Sequence, residues 1–578
     1  MSRKKSSKDE QRPGFLESLG QAYTIRRQNI IILTGDVSGL FYSRETDNYL
    51  SLEQTLNQEL KDKFNLVRMD IATGIGFYDR ETEDEVTRIC ESTDGYYTPA
   101  GRIEALKRMI DQSKHSPLSA LVLLQGMGEA FVRVRRLEPA IKPMCVVLQF
   151  AGALFTAGDY SRLSELERQC LISFLSWVSG PLFRESPELF ILINSVKSEI
   201  NAKIIALPHA EHLEIDLPDK DERRQFVKHF TTQHKSVRFS HGKETFVEDT
   251  AGLALHNIKD LLEVAAGTKE TLTRQHVVKE VNNILQAQLG EIIRIKYPSH
   301  TSKDIVGFKE TGEIFTTIFE RCEDPETAVA AILVSGPNGS GKTFQLEAYA
   351  GESGRVVVEL AGIRGSYFGE TDRFFELLRW HIATFGKILI LVDEAHTAFG
   401  SVHAGQTHQT EQRLSGNIIK MMGDPRYFGK VLWGLMTSRP DELDPDIKSR
   451  APIQVPIFDL EGDERKAFVK EMFKRKKITL SADELGQVLD QTNYYSCRDY
   501  RNLVAEVLAQ KRKKPEITVG DVLSGWQASK SIKRQREFQE MIAALHCSYP
   551  NLLPGKYRDI SDDVLMRKVE ELKILLHQ

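Results

Sequence analysis

Hydrophobic and polar positions along the chain form two series of short apolar runs separated by stretches of helical period. In the second half the runs are AAILVS (330–335), GRVVVEL (354–360), KILILV (387–392), VLWGLMTSRP (431–440) and IQVPIF (453–458). Apolar runs of strand length alternating with helical segments predict a parallel sheet buried on both faces, since a strand covered on each side needs apolar residues at both alternations. From Asp463 the period turns helical, which predicts a small bundle after the sheet.

The first half follows the same plan, with NIIILTGD (29–36), NLVRMDI (65–71), MCVVLQF (144–150) and LFILIN (189–194) as strands. The likeness extends to residues at a constant offset of 242 positions. DERRQFVKHF (221–230) lies over DERKAFVKEMF (463–473), and GLALHNIKDLL (252–262) over YYSCRDYRNLV (494–504). One offset across two separate elements favours internal duplication over chance similarity of amphipathic helices. The expected organisation is a disordered tail (1–20), an α/β module (21–218) with a helical lid (219–293), and a linker (294–310) containing Pro298. A second α/β module (311–459), its lid (460–525) and a helical extension (526–578) follow.

Composition narrows the function classes. A chain of 578 residues is too long for one core. A net charge of −4 argues against a dedicated nucleic-acid binder. Six scattered cysteines, none paired at metal-ligand spacing, read as reduced thiols and point to the cytoplasm. No apolar stretch reaches the roughly 18 residues of a membrane span.

The chemistry concentrates in the second module. Gly336, Pro337, Asn338, Gly339, Ser340, Gly341, Lys342 and Thr343 satisfy G-x-x-x-x-G-K-[ST] between a strand and a helix, and Phe344 joins them in the expected nucleotide-binding set. Glycines let successive N–H groups turn inward around phosphates, and the helix aims its positive end at them. Lys342 adds a charge at the terminal phosphates of ATP, and the Thr343 hydroxyl is a ligand for Mg²⁺. Asp393 and Glu394 end the strand ILILV; Asp393 is the second magnesium-side residue and Glu394 the residue that polarises the attacking water.

With these motifs in order, residues 301–525 resemble the AAA family of protein-unfolding and complex-remodelling ATPases. Asp304, Ile305, Val306 and Gly307 resemble the family's adenine-side D-I-x-G segment, Thr437–Asp441 its T-N-R-P-D run, and Ser496–Leu503 its lid segment. Gly365–Thr371 resembles the aromatic pore loop, so Tyr367 and Phe368 are the residues expected to grip a polypeptide through apolar, non-directional contacts. Ser438 stands where the family has a sensor asparagine. The arginine-finger stretch is contracted to Lys448–Pro452, leaving Arg450 as the finger candidate. Arg498, where the family has alanine, either reaches the phosphates from the lid or is solvated.

The first module lacks this equipment. Its loop, Thr34–Phe41, has Leu40 and Phe41 for lysine and threonine, and carries Asp36, which would repel phosphate. Gln149 and Phe150 replace the two acids, although Asn194 survives at a sensor-like position. A motif-poor module followed by a complete one is similar to tandem AAA proteins of bacteria and plastids. His403 and His408 lack a third metal ligand, and the D-E-A-H run at 393–396 lacks a helicase's arginine-rich partner segment. The resemblance implies a hexameric ring that remodels protein substrates with ATP and Mg²⁺. The alternative is a nucleotide-gated scaffold with slow turnover.

Overall fold

The computed structural model describes residues 13–93, 99–289, 293–296, 298, 300–360, 376, 378–382, 387–399, 409–528 and 533–576. The chain divides into two compact units, Met1–Val277 with Asp372–Thr384, and Val278–Thr371 with Phe385–Gln578.

The sheet of the first unit is built from β1 (Ile30–Gly35), β4 (Asn65–Asp70), β5 (Gly74–Phe77), β6 (Met144–Leu148), β7 (Leu189–Ile193) and β8 (Ala210–Ile215), in the order β5-β4-β6-β7-β1-β8. All neighbours are parallel except the pair β4 and β5. Every residue of β6 and β7 is buried, which explains their unbroken apolar runs. The edge strand β8 is only half buried, and its AEHLEI pattern alternates too weakly to stand out in the sequence. Between β1 and β4 the chain makes a hairpin, β2 (Leu40–Ser43) and β3 (Asn48–Ser51), before the helix Leu52–Leu60. A helical lid follows β8, opening on a capping box at Asp219 and carrying the short pair β9 (Arg238–Phe239) and β10 (Thr271–Leu272).

The sheet of the second unit has β11 (Ile293–Lys296), β12 (Ala331–Ser335), β13 (Val356–Leu360), β14 (Ile388–Val392), β15 (Val431–Thr437) and β16 (Ile453–Pro456), ordered β11-β13-β14-β15-β12-β16. Five of these strands are parallel in the same connectivity as in the first unit, and β11 is an antiparallel edge. Both sheets are therefore six-stranded, where the apolar runs indicated five parallel strands. The lid packs around Phe468, Val469, Phe473, Leu503 and Val507, with capping boxes at Ser481, Ser496 and Thr518 fixing where its helices start. The extension forms its own core of Phe538, Ile542, Leu565 and Val569 around Phe458.

Two expectations are corrected. The tail does not extend to residue 20: a helix runs from Gly14 to Thr24 and buries Phe15, Leu16, Leu19 and Ala22 beside Ile31 and Leu33 of β1. Burial of these four apolar side chains is what holds the helix on the sheet. The linker is not wholly irregular, because Ile293–Lys296 pairs with β13. Among the described residues no helix is long and apolar enough to cross a membrane.

Candidate active site

The loop after β12 carries three glycines at positive φ: Gly336 (139°), Gly339 (85°) and Gly341 (104°). At Gly336 a side chain is excluded by the Ile457 carbonyl oxygen, 2.1 Å from where its Cβ would lie. Gly341 hands over to the helix Lys342–Glu352, whose N-terminus faces the loop. Lys342 is buried, and its Nζ donates to the Gly336 and Pro337 carbonyls at 2.8 and 3.1 Å. Burial pushes its pKa down to about 8, against the pull of Glu394 and Asp393. Ser340 Oγ and both amide atoms of Gln345 are buried without partners. A curled loop of N–H groups, a cation that among the described residues bonds to its own loop, and an orphaned hydroxyl suit an incoming phosphate chain.

Across the site, β14 delivers Asp393 and Glu394. Glu394 holds φ at 45°, an uncommon conformation for a side-chain-bearing residue, as it caps the helix Ala395–Ala398. Ser438 Oγ donates to Glu394 Oε2 at 3.4 Å. His396 was passed over in the sequence, where it reads only as the end of D-E-A-H. Its Nδ1 lies 2.8 Å from Thr437 Oγ1 and 3.5 Å from Glu394 Oε2. Thr437 Oγ1 also accepts the Arg439 N–H at 2.9 Å, and the direction of its bond to His396 follows the ring's tautomer. Burial lowers the His396 pKa, against the pull of Glu394, which favours the neutral ring.

Other expected residues fall around this centre. The Arg498 N–H donates to the Gly339 carbonyl at 3.3 Å, so the lid touches the loop, while its side chain is exposed. Val306 packs with Leu460 on the lid core. Gly307 takes φ 79°, with Leu460 Cδ2 2.8 Å from where a Cβ would lie. Asp304 accepts from the Thr301 N–H, and Ile305 is half buried. Phe344 is exposed and stacks on His300, with centroids 3.9 Å apart. Thr343 is half buried and Asp393 exposed. Arg450 ends the helix Pro445–Arg450, exposed, with its guanidinium against Gly423. Tyr367, Phe368, His403 and His408 lie outside the described residues.

The matching positions of the first unit hold different chemistry. Gly35 again has positive φ (89°), with the Ile215 carbonyl 2.2 Å from a would-be Cβ. Beyond it Asp36 is buried, and its carboxyl lies against Gly39 inside its own loop. Leu40 and Phe41 then enter the β2 strand, so no helix begins directly from that loop. Phe150 takes the left-handed conformation of Glu394 (φ 55°) before another four-residue helix, but presents an exposed phenyl ring. Asn194 is spent internally: its Oδ1 accepts from the Gly152 N–H, and its Nδ2 donates to the Val196 carbonyl and Glu199. Within this unit Glu376 accepts from the N–H groups of Lys197 and Ser198, and Trp380 Nε1 donates to the Ile215 carbonyl.

A glycine-cradled lysine, a strand-end acid pair and a hydroxyl–imidazole link to the next strand define a phosphate-loop nucleotide hydrolase. Residues 332–458 match the model of the ATPase family associated with various cellular activities (AAA), and residues 6–216 match that of the AAA+ chaperone N-terminal Rossmann-like domain. The chain thus carries an AAA ATPase domain preceded by an AAA+ chaperone-type N-terminal domain. It is similar to the ATPase family AAA domain-containing protein FIGL1 of Arabidopsis thaliana, at 27% identity over 33% of this chain and 28% of that protein. It is also similar to the cell division cycle protein 48 homolog of Archaeoglobus fulgidus, at 23% identity over 51% of this chain and 41% of the relative. Against the ATP-dependent zinc metalloprotease FtsH of Lactiplantibacillus plantarum the identity is 27%, over 38% and 31%. The chain thus spans less than half the length of each of these relatives.

Proposed function

We propose that this ATPase remodels protein substrates as a homo-oligomeric ring, hexameric by analogy with the family, and that only its second module hydrolyses ATP. The observation that carries the reading is the contrast at the two loops: a buried lysine free to meet phosphate in one, a buried carboxylate filling the other. Lys342 and the N–H groups leading into its helix bind the phosphates, and Glu394 orients the attacking water. Ser438, Thr437 and His396 hold that carboxylate in register with β15. Mg²⁺, reached through Thr343 and Asp393, would draw the rest of its oxygen shell from nucleotide and water. It would neutralise charge on the transferred phosphoryl group. Arg450, exposed at a helix end, is the residue offered to a neighbour's site, and Tyr367 and Phe368 are the residues offered to substrate.

The scaffold reading has one observation in its favour. Glu394 is engaged by Ser438 and lies beside His396, which restrains it from water and suits slow turnover. A substrate trap separates the two. Glu394→Gln, loaded with ATP, should retain client polypeptides identifiable by mass spectrometry. ATP-driven unfolding of a tagged client that continues unchanged in Tyr367→Ala would sink the threading part of the proposal.

A further inference from the structure

The two amphipathic helices after the lid belong to no motif, yet the first of them closes on the phosphate loop. Arg536, on the helix Lys533–Leu545, is buried, and its Nη1 donates to the Asn338 carbonyl at 2.6 Å. One turn on, Gln539 Oε1 accepts the Asn338 N–H at 3.2 Å. Both backbone polar groups of a phosphate-loop residue are thus held by side chains about 200 positions further along the chain. The next residue, Gly339, is held from the lid through the Arg498 N–H. Arg536 is itself fixed by a forked ion pair with Asp459, just past β16, and this arrangement is costly to build. Burial raises the Asp459 pKa to about 6, with Arg536 opposing the rise.

The same extension grips the sensor run. Arg439 lies over the Phe538 ring, 4.9 Å from its centroid, and Lys573 pairs with Asp441 at 3.1 Å. Arg439 also donates its N–H to Thr437, the hydroxyl bonded to His396. One small core, centred on Phe538, therefore touches the loop that binds phosphate and the strand end that contacts the catalytic acid.

We propose that the C-terminal extension is a working part of the ATPase site, with Arg536 and Gln539 as positioning residues that hold the phosphate loop open for nucleotide. A helical cap serving only its own core would leave the Asn338 peptide to solvent. Here a buried guanidinium and amide are spent on it. Freed from them, the loop must be ordered by the nucleotide itself, so binding weakens before chemistry does.

The proposal rests on nucleotide being held at the Lys342 loop, which Lys342→Ala tests separately. The experiment is steady-state ATPase kinetics and thermal unfolding on the full chain carrying Arg536→Ala, Arg536→Lys or Gln539→Ala. Gln539→Ala leaves the Arg536–Asp459 pair intact and guards against simple misfolding. Expected is a KM for ATP raised at least about tenfold in Arg536→Ala and about threefold in Gln539→Ala, kcat changing less than KM. Arg536→Lys, which keeps charge but not the fork, should recover part of the loss. Wild-type KM in a folded Gln539→Ala, or losses that track thermal stability with no separation of KM from kcat, would overturn the proposal. If Lys342→Ala also binds ATP normally, the site assignment fails instead.

Discussion

The two units thread five parallel strands in one order, and the difference in chemistry between them is carried at a few positions at the strand ends. Gly35 and Gly336 are both retained, and both pass a carbonyl of the neighbouring chain segment, Ile215 or Ile457, closely enough to forbid a Cβ. That glycine answers to packing, and so it says nothing about phosphate. Phe150 and Glu394 likewise share a left-handed backbone before a short helix, with entirely different side chains. The fold preserves backbone geometry at these corners whether or not chemistry is done there. Function has to be read from the side chains carried on it.

The contrast breaks most sharply when the second unit is made to resemble the first. Glu394→Gln should cut ATP turnover by at least about 100-fold while leaving nucleotide binding intact, checked by phosphate release and equilibrium binding. His396→Ala removes the imidazole from Thr437 and Glu394, and turnover should fall by about threefold to tenfold with KM little changed. If His396 serves only packing, that loss will instead follow thermal stability.

A third test concerns the first unit. Burial, aided by nearby Glu222, pushes the Asp36 carboxyl up to about 7 from 3.8. Between those values the folded chain keeps a proton that the unfolded chain has released. Stability of this unit therefore falls as pH rises, at up to about 1.4 kcal/mol per unit, and levels off above pH 7. Asp36→Asn should flatten that slope and raise the first unit's unfolding temperature at pH 8, measured by calorimetry. The smallest effect is expected from Leu40→Lys, which returns a lysine to the first loop. No ATP affinity should appear, because residue 40 lies in the β2 strand with no helix start behind it.

Much of this was legible in the residues. The buried strands of both sheets announced themselves as unbroken apolar runs, and the G-x-x-x-x-G-K-T and D-E segments marked the glycine loop after β12 and the acids at the end of β14. These signals are local, made by neighbours in the chain. The strand β8 was missed because an edge strand alternates weakly, and β11 because four residues in a polar stretch leave little pattern. Asp36 was recognised as repulsive to phosphate. That its carboxyl lies against Gly39 in its own loop depends on the hairpin that replaces a helix. His396 sat within a read motif, but its partner Thr437 lies 41 positions away. Arg536 and Gln539 had no signal at all: their target is the backbone of Asn338, which any residue would supply.

The central claim is that nucleotide chemistry belongs to the second unit alone. Its most direct test is the stoichiometry of ATP bound to Glu394→Gln at saturation, with and without Lys342→Ala. The account predicts one nucleotide per chain, lost entirely when Lys342 is replaced. A second equivalent, or binding that survives Lys342→Ala, would contradict it.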